Sequence, residues 1–134
     1  MEYVFLNSDR RADLLIGHLS QHAAECQEAV AAGDADRADI ATRQGEFVRA
    51  QLREANPSRT FLENAITVAE SMYFQAELNA AKFDAVEAPG GSAEGYRARA
   101  SWAEEDHALF VELLKSSSDA AEAPFLPPRR KGII

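Results

Sequence analysis

The sequence predicts an all-α protein: a four-helix antiparallel bundle of helical hairpins with an extended, proline-rich and basic C-terminal tail. Apolar residues recur at intervals of three and four along most of the chain, and the alternation typical of strands is absent beyond the first few residues. Helix-breaking sequences divide the chain at Gly33-Asp34, at Asn56-Pro57 and at residues 89–91. Because these connections are short, successive helices are expected to be antiparallel neighbours. A pair of hairpins like those of tetratricopeptide repeats is the alternative, although its helices are normally shorter.

The first two helices have clear boundaries in the sequence. Residues 7–9 supply side chains that suit a helix N-terminus, and Gly33 is expected to end the first helix. Asp34 is expected to cap the second helix, which stops before Pro57 because proline disfavours a helical conformation in the residue preceding it. We expect Asn56 to cap the third helix and Pro57 to occupy its first position.

The third helix is predicted to be the longest, from Pro57 to Ala88, and it has more apolar surface than one core stripe needs. Its main apolar line comprises Leu62, Ile66, Ala69, Tyr73, Ala76, Ala80 and Phe83. A second line comprises Phe61, Ala65, Val68 and Met72. Because Met72 and Phe74 flank Tyr73 on a helix, the three side chains cannot face one core stripe. This surface predicts either a central position in the bundle or a self-association or partner face.

The fourth helix is predicted to begin at Ser92 and to close at residues 116–118. Trp102 and Leu109 lie seven residues apart and off its main apolar line, so we expect them to form a further exposed patch. The predicted domain organisation is therefore a helical bundle over residues 1–118 and an extended tail over residues 119–134.

The tail combines apolar, proline and cationic residues, as short docking segments do. Phe125 and Leu126 are its candidate anchors, and Arg129, Arg130 and Lys131 form its cationic cluster. The alternative is a disordered end.

Charge narrows the class of partner. The formal net charge is −8, which disfavours direct binding to a phosphate backbone and favours a basic protein partner. The third helix also carries an acidic series at strict intervals of seven: Glu63, Glu70, Glu77 and Asp84. This series predicts either a solvated helix face, a docking strip for a basic segment, or a mimic of a phosphate row that blocks a basic groove.

The sequence favours a cytoplasmic protein without a membrane segment. Cys26 is the single cysteine and cannot form an internal disulfide, and its place on an apolar stripe predicts a buried, inert thiol. The apolar start at residues 3–6 is too short for a signal peptide. No apolar run approaches the length of a membrane span.

Two sets of side chains have spacings that suit a metal site. His18 and His22 lie one helical turn apart with Glu25 nearby, and Glu104 and His107 have the spacing found in carboxylate-bridged bundles. A second Glu-x-x-His and the further glutamates of such bundles are missing from the sequence. A small metal-binding bundle is therefore an alternative hypothesis, and we predict no metal, no cofactor and no catalytic residue.

One segment resembles a known family. Residues 31–34, followed by a helix with Arg43, Phe47 and Leu52, resemble the helix-Gly-Asp-helix hairpin of small flagellar export chaperones. The resemblance covers less than a third of the chain, and the remaining sequence does not follow that family's pattern. It assigns no family.

These observations predict a non-enzymatic interaction protein: an adaptor, an export-type chaperone or an inhibitor that presents a helical surface to another protein and forms homo-oligomers through its third helix. The predicted partner-binding residues are Glu63, Glu70, Glu77, Asp84, Met72, Phe74, Trp102, Phe125, Leu126, Arg129, Arg130 and Lys131.

Overall fold

A computed structural model describes residues 7–121 of the chain, with side chains up to residue 117. Four helices account for nearly all of this range: α1 (Ser8–Ala31), α2 (Ala35–Ala55), α3 (Arg59–Ala85) and α4 (Ser92–Ala121). The all-α class and the four helices predicted from the sequence are confirmed.

The helices form two antiparallel hairpins, α1 with α2 and α3 with α4, which join through contacts between α1 and α4. At one end of the bundle, Asp9 at the start of α1 accepts hydrogen bonds from Ser58 just before α3. At the other end, the start of α4 lies against the last turns of α1, where a Cβ on Gly95 would stand 2.8 Å from the carbonyl oxygen of Gln27. Glycine is therefore required at position 95 for this close approach.

α4 is the central helix, since it contacts each of the other three, whereas α1 and α3 do not pack against each other along their lengths. The wide apolar surface of α3 is therefore not explained by a central position. For the same reason the predicted exposed patch on α4 is wrong: Trp102 and Leu109 are buried, with 6% and 3% of their surface exposed. α4 has neighbours on several sides, so residues off its main stripe also enter the core.

The start of α3 differs from the sequence prediction. Ser58 is its N-cap and accepts a hydrogen bond from the backbone N–H of Phe61. Asn56 instead ends α2 in the left-handed conformation, with φ at 53°, which Asn tolerates better than most residues. Pro57 lies between the two helices, so α3 begins two residues later than predicted.

The core is rich in alanine, and among residues 7–117 the buried side chains are all apolar. Leu19, Leu52 and Leu62 are its largest fully buried side chains. Cys26 is buried among them, as the sequence predicts. Alanine lets helices approach closely but buries little area, so the few large side chains carry much of the packing.

The last helix ends at Ala121, three residues beyond the predicted boundary of the bundle. The predicted docking residues Phe125, Leu126, Arg129, Arg130 and Lys131 lie outside the described residues. No helix of the described range is long and apolar enough to cross a membrane.

Candidate binding groove between the first and third helices

An open groove runs between α1 and α3, with α4 as its floor. It arises because both helices pack on α4 without packing on each other. Its volume is about 220 Å3. The residues that line it are Asp13, Ile16, Leu19, Ser20 and Ala23 from α1; Phe61, Asn64, Ala65, Val68, Ala69 and Met72 from α3; and Arg99, Trp102, Ala103, Asp106 and Phe110 from α4.

The groove is lined mainly by apolar side chains, some of which remain in contact with water. Val68 is 50% exposed, although it lies beside the buried Ala65 and Ala69 on α3. Phe61, about two turns before Val68, and Met72, about one turn after it, are half-buried. Apolar surface left open between two helices is unusual for a protein without a partner and typically marks an interaction site.

The polar groups of the groove lie at its edges. Asp13 and Asn64 are exposed on the α1 and α3 rims. Arg99 is turned towards α1, where it donates a hydrogen bond of 3.0 Å to the side-chain oxygen of Gln27. The cation is therefore held by a neighbouring helix, whereas the Asp13 carboxylate faces solvent.

Behind the groove, Arg49 of α2 ties the floor to the rest of the bundle. Its Nε donates to Asp106 at 2.9 Å, and its Nη1 lies 3.0 Å from a carboxylate oxygen of Glu105. The guanidinium carbon stands 4.8 Å from the centroid of the Trp102 ring, a cation–π distance. The buried Nη2 has no hydrogen-bond partner among the described residues.

Asp106 belongs both to this cluster and to the groove wall. Burial raises the pKa of its carboxyl group, while the positive charge and hydrogen bond of Arg49 oppose the rise. The burial of Asp106 outweighs the attraction of Arg49, so this carboxylate is less stable in the ionised form than an exposed one.

The structure places the predicted partner-binding residues of α3 and α4 on different surfaces. Met72 lines the groove, and Trp102 forms part of its floor. Phe74 does not line the groove and is 66% exposed, with Leu78 one turn further along at 49%. Of the apolar residues singled out from the sequence, Met72 and Trp102 therefore belong to the groove, whereas Phe74 lies on a separate exposed surface.

Three members of the acidic series on α3 pair with side chains of the same chain. Glu63 lies 3.3 Å from the guanidinium of Arg59, and Glu70 lies 3.1 Å from the imidazole of His107. Asp84 pairs with Arg97 of α4. Glu77 is exposed. A uniform acidic strip is therefore interrupted by positive groups, which weakens the case for a mimic of a phosphate row.

The candidate metal ligands are not brought together. His22 hydrogen-bonds Glu25 at 2.9 Å, which lowers the pKa of that carboxyl group, whereas His107 pairs with Glu70 on another surface. His18 is exposed on α1. Within the described residues, no three His, Cys, Asp or Glu side chains are arranged to hold a metal ion.

Sequence reasoning missed three polar residues of the groove, Asp13, Asn64 and Arg99. Each follows helical spacing without a motif, so nothing in the sequence distinguishes these residues from ordinary surface polar residues. The line Phe61, Val68 and Met72 was the one available indication, because it lies beside the core stripe of α3 without belonging to it.

Comparison of the chain with known protein families, with curated proteins and with solved structures finds no match.

Proposed function

We propose that the protein is a non-enzymatic interaction module that binds an amphipathic helix of another protein in the groove between α1 and α3. The observation that carries this proposal is the open, apolar gap between two helices that share a common floor. Recognition of an amphipathic helix in such a groove is a recurrent mode of protein interaction.

The chemistry of the groove defines the kind of helix that would bind. Phe61, Val68 and Met72 offer contacts to apolar side chains along about three turns of a partner helix, and each such side chain contributes roughly 1.5–3 kcal/mol when fully buried. Asp13 on the rim favours a Lys or Arg beside those anchors. The partner helix is therefore amphipathic, with a basic residue next to its apolar face.

A photo-crosslinking amino acid placed at Val68 tests this proposal. We expect it to capture a specific partner in cells, whereas the same amino acid at Ile40 captures none. Both positions are exposed to a similar degree, 50% and 56%, but Ile40 lies on the outer face of α2. Equal capture at the two positions would contradict the proposal.

The captured partner can then be tested for direct binding. Val68→Asp is expected to abolish it, because a carboxylate would lie among apolar contacts. Phe47→Asp is the matched control, since it also replaces an exposed apolar residue, 65% exposed, but lies outside the groove. Equal binding losses in the two variants would point to a different surface.

A further inference from the structure

We propose that the chain's own residues 123–134 occupy the groove in the free protein, so that a partner helix must displace them. This inference rests on the proposed function, because it takes the groove to be a site for apolar segments. It adds that a segment of the same chain competes with the partner helix for the groove.

The position of α4 brings this segment to the groove. α4 runs antiparallel to α1 and α3, so it leaves the bundle at the end where those helices begin, which the Asp9–Ser58 hydrogen bonds mark. Phe110 lines the groove eleven residues before Ala121. At about 1.5 Å per residue, Ala121 lies roughly 16 Å beyond Phe110 along the helix axis.

The segment after Ala121 is long enough to run back along α4 to the groove. At about 3.3 Å per fully extended residue, Leu126 reaches at most about 16 Å back from Ala121, which is the level of Phe110. Arg129 reaches at most about 26 Å, and Asp106 lies about 22 Å from Ala121 along α4. The apolar pair Phe125-Leu126 can thus reach the mouth of the groove, and the cations can reach Asp13 on its rim.

Charge is also complementary. Residues 7–121 contain eleven Lys and Arg against twenty Asp and Glu, a net charge of −9, whereas residues 122–134 contain three cations and one carboxylate, a net charge of +2. Asp13 on the groove rim provides an exposed carboxylate for this cationic cluster. Arg99, the one cation among the described residues that line the groove, is turned towards Gln27.

Covalent attachment lowers the affinity that such an occupant needs. A short flexible connection gives an effective concentration in the millimolar range, so even weak contacts keep the groove occupied. The pair Pro127-Pro128 restricts the backbone and reduces the conformational entropy lost on binding.

A synthetic peptide of residues 122–134 provides the probe. It is titrated into the full-length protein and into the full-length variant Phe125→Ser/Leu126→Ser, whose own segment has lost its anchors. Trp102 is the only tryptophan and lines the groove, so its fluorescence reports binding. If the segment fills the groove in about nine molecules of ten, the peptide should bind the variant about tenfold more tightly than the wild type.

Two results would overturn the inference. One is equal peptide affinity for wild type and variant; the other is peptide binding to the variant that survives Val68→Asp. A nitroxide at position 132, attached through Gly132→Cys in a Cys26→Ala background, gives a second measurement. It should broaden the methyl resonances of Val68 and Met72 and leave those of Ile40 sharp.

The spin-label experiment also identifies which copy supplies the segment. When spin-labelled protein is mixed with isotope-labelled protein that carries no nitroxide, we expect no broadening. Broadening in that mixture would mean that the segment enters a second copy, which contradicts the inference. Crosslinking of a partner at Val68 does not depend on these results, so the proposed function and the inference can fail separately.

Discussion

The ring of Trp102 lies directly against Gly45 of α2, and a Cβ atom at position 45 would overlap its six-membered ring. Arg49, one turn further along α2, covers the same indole with its guanidinium group. The glycine thus makes room for the largest side chain of the groove floor, and the arginine holds it in place. The contacts of Gly45 and Arg49 with Trp102 join α2 to α4, two helices that share few other contacts.

Gly45→Ala is predicted to destabilise the protein. Alanine normally favours a helix over glycine by about 1 kcal/mol, but here its methyl group forces Trp102 out of place, and overpacking of this kind costs about 1–3 kcal/mol beyond any such gain. Chemical denaturation followed by circular dichroism measures the change.

Gly17→Ala is the control for this prediction. Gly17 lies on the exposed side of α1, and a Cβ there would meet nothing within 4 Å. We expect this variant to be about 0.5–1 kcal/mol more stable than the wild type. A Gly45→Ala protein that gains stability in the same way would show that Trp102 does not depend on the glycine.

Asp9→Ala is predicted to lower the free energy of unfolding by about 1–2 kcal/mol. The two carboxylate oxygens of Asp9 accept hydrogen bonds of 2.7 Å from the backbone N–H and the hydroxyl of Ser58, so the start of α1 is fastened to the cap of α3. Asp36→Ala is a matched control, because Asp36 occupies the first turn of α2 and its removal should cost a few tenths of a kcal/mol. Equal losses would mean that the Asp9–Ser58 contact adds nothing.

Ser58 also illustrates what the sequence could and could not predict. The number of helices follows from local chemistry and was correct, but α3 ends at Ala85 rather than Ala88, and α4, with 30 residues, is longer than α3, with 27. Asn56 and Ser58 are both residues that commonly cap helices, so local chemistry did not decide between them. The contact of Ser58 with Asp9, forty-nine residues away, is not contained in any local pattern.

The groove was harder to predict from the sequence than the cap of α3. It exists because α4, rather than α3, became the central helix, and this choice depends on close approaches such as that of Trp102 to Gly45. Periodicity finds the apolar faces of each helix separately. Periodicity does not show which faces meet, so Trp102 was expected at the surface, and the line that contains Val68 could not be assigned to a groove rather than to a central position.

Arg49→Met is predicted to cost about 3 kcal/mol near neutral pH, because it leaves the largely buried Asp106 carboxylate without its cation. Burial raises the pKa of Asp106 in the folded protein, so its stabilising contribution is greatest below the ordinary Asp pKa and is lost as the pH rises through the folded value. Removing Arg49 raises that pKa further. The cost of the substitution should therefore be smaller in mild acid than at neutral pH.

Denaturation of wild type and variant at about pH 4 and at about pH 7 measures this difference. Arg53→Met is the control, since Arg53 pairs with Glu112 at 3.3 Å on the surface and its loss should cost about 0–1 kcal/mol. A cost for Arg49→Met that is the same at both pH values would show that Asp106 is not the affected group.

The exposed pair Phe74 and Leu78 supports one more proposal, self-association through the outer face of α3. The two side chains are 66% and 49% exposed, lie one turn apart and do not line the groove, so they are free to meet a second copy while the groove binds another segment. Phe74→Asp should then shift the sedimentation coefficient at micromolar concentration from that of a dimer to that of a monomer. Because the residue is exposed, the stability of the fold should change by less than about 0.5 kcal/mol.

Phe47→Asp, which replaces a phenylalanine of nearly identical exposure on α2, 65%, should leave the sedimentation unchanged. A wild-type protein that sediments as a monomer, or a dimer that survives Phe74→Asp, would contradict this use of α3, and the pair would then be ordinary exposed apolar surface.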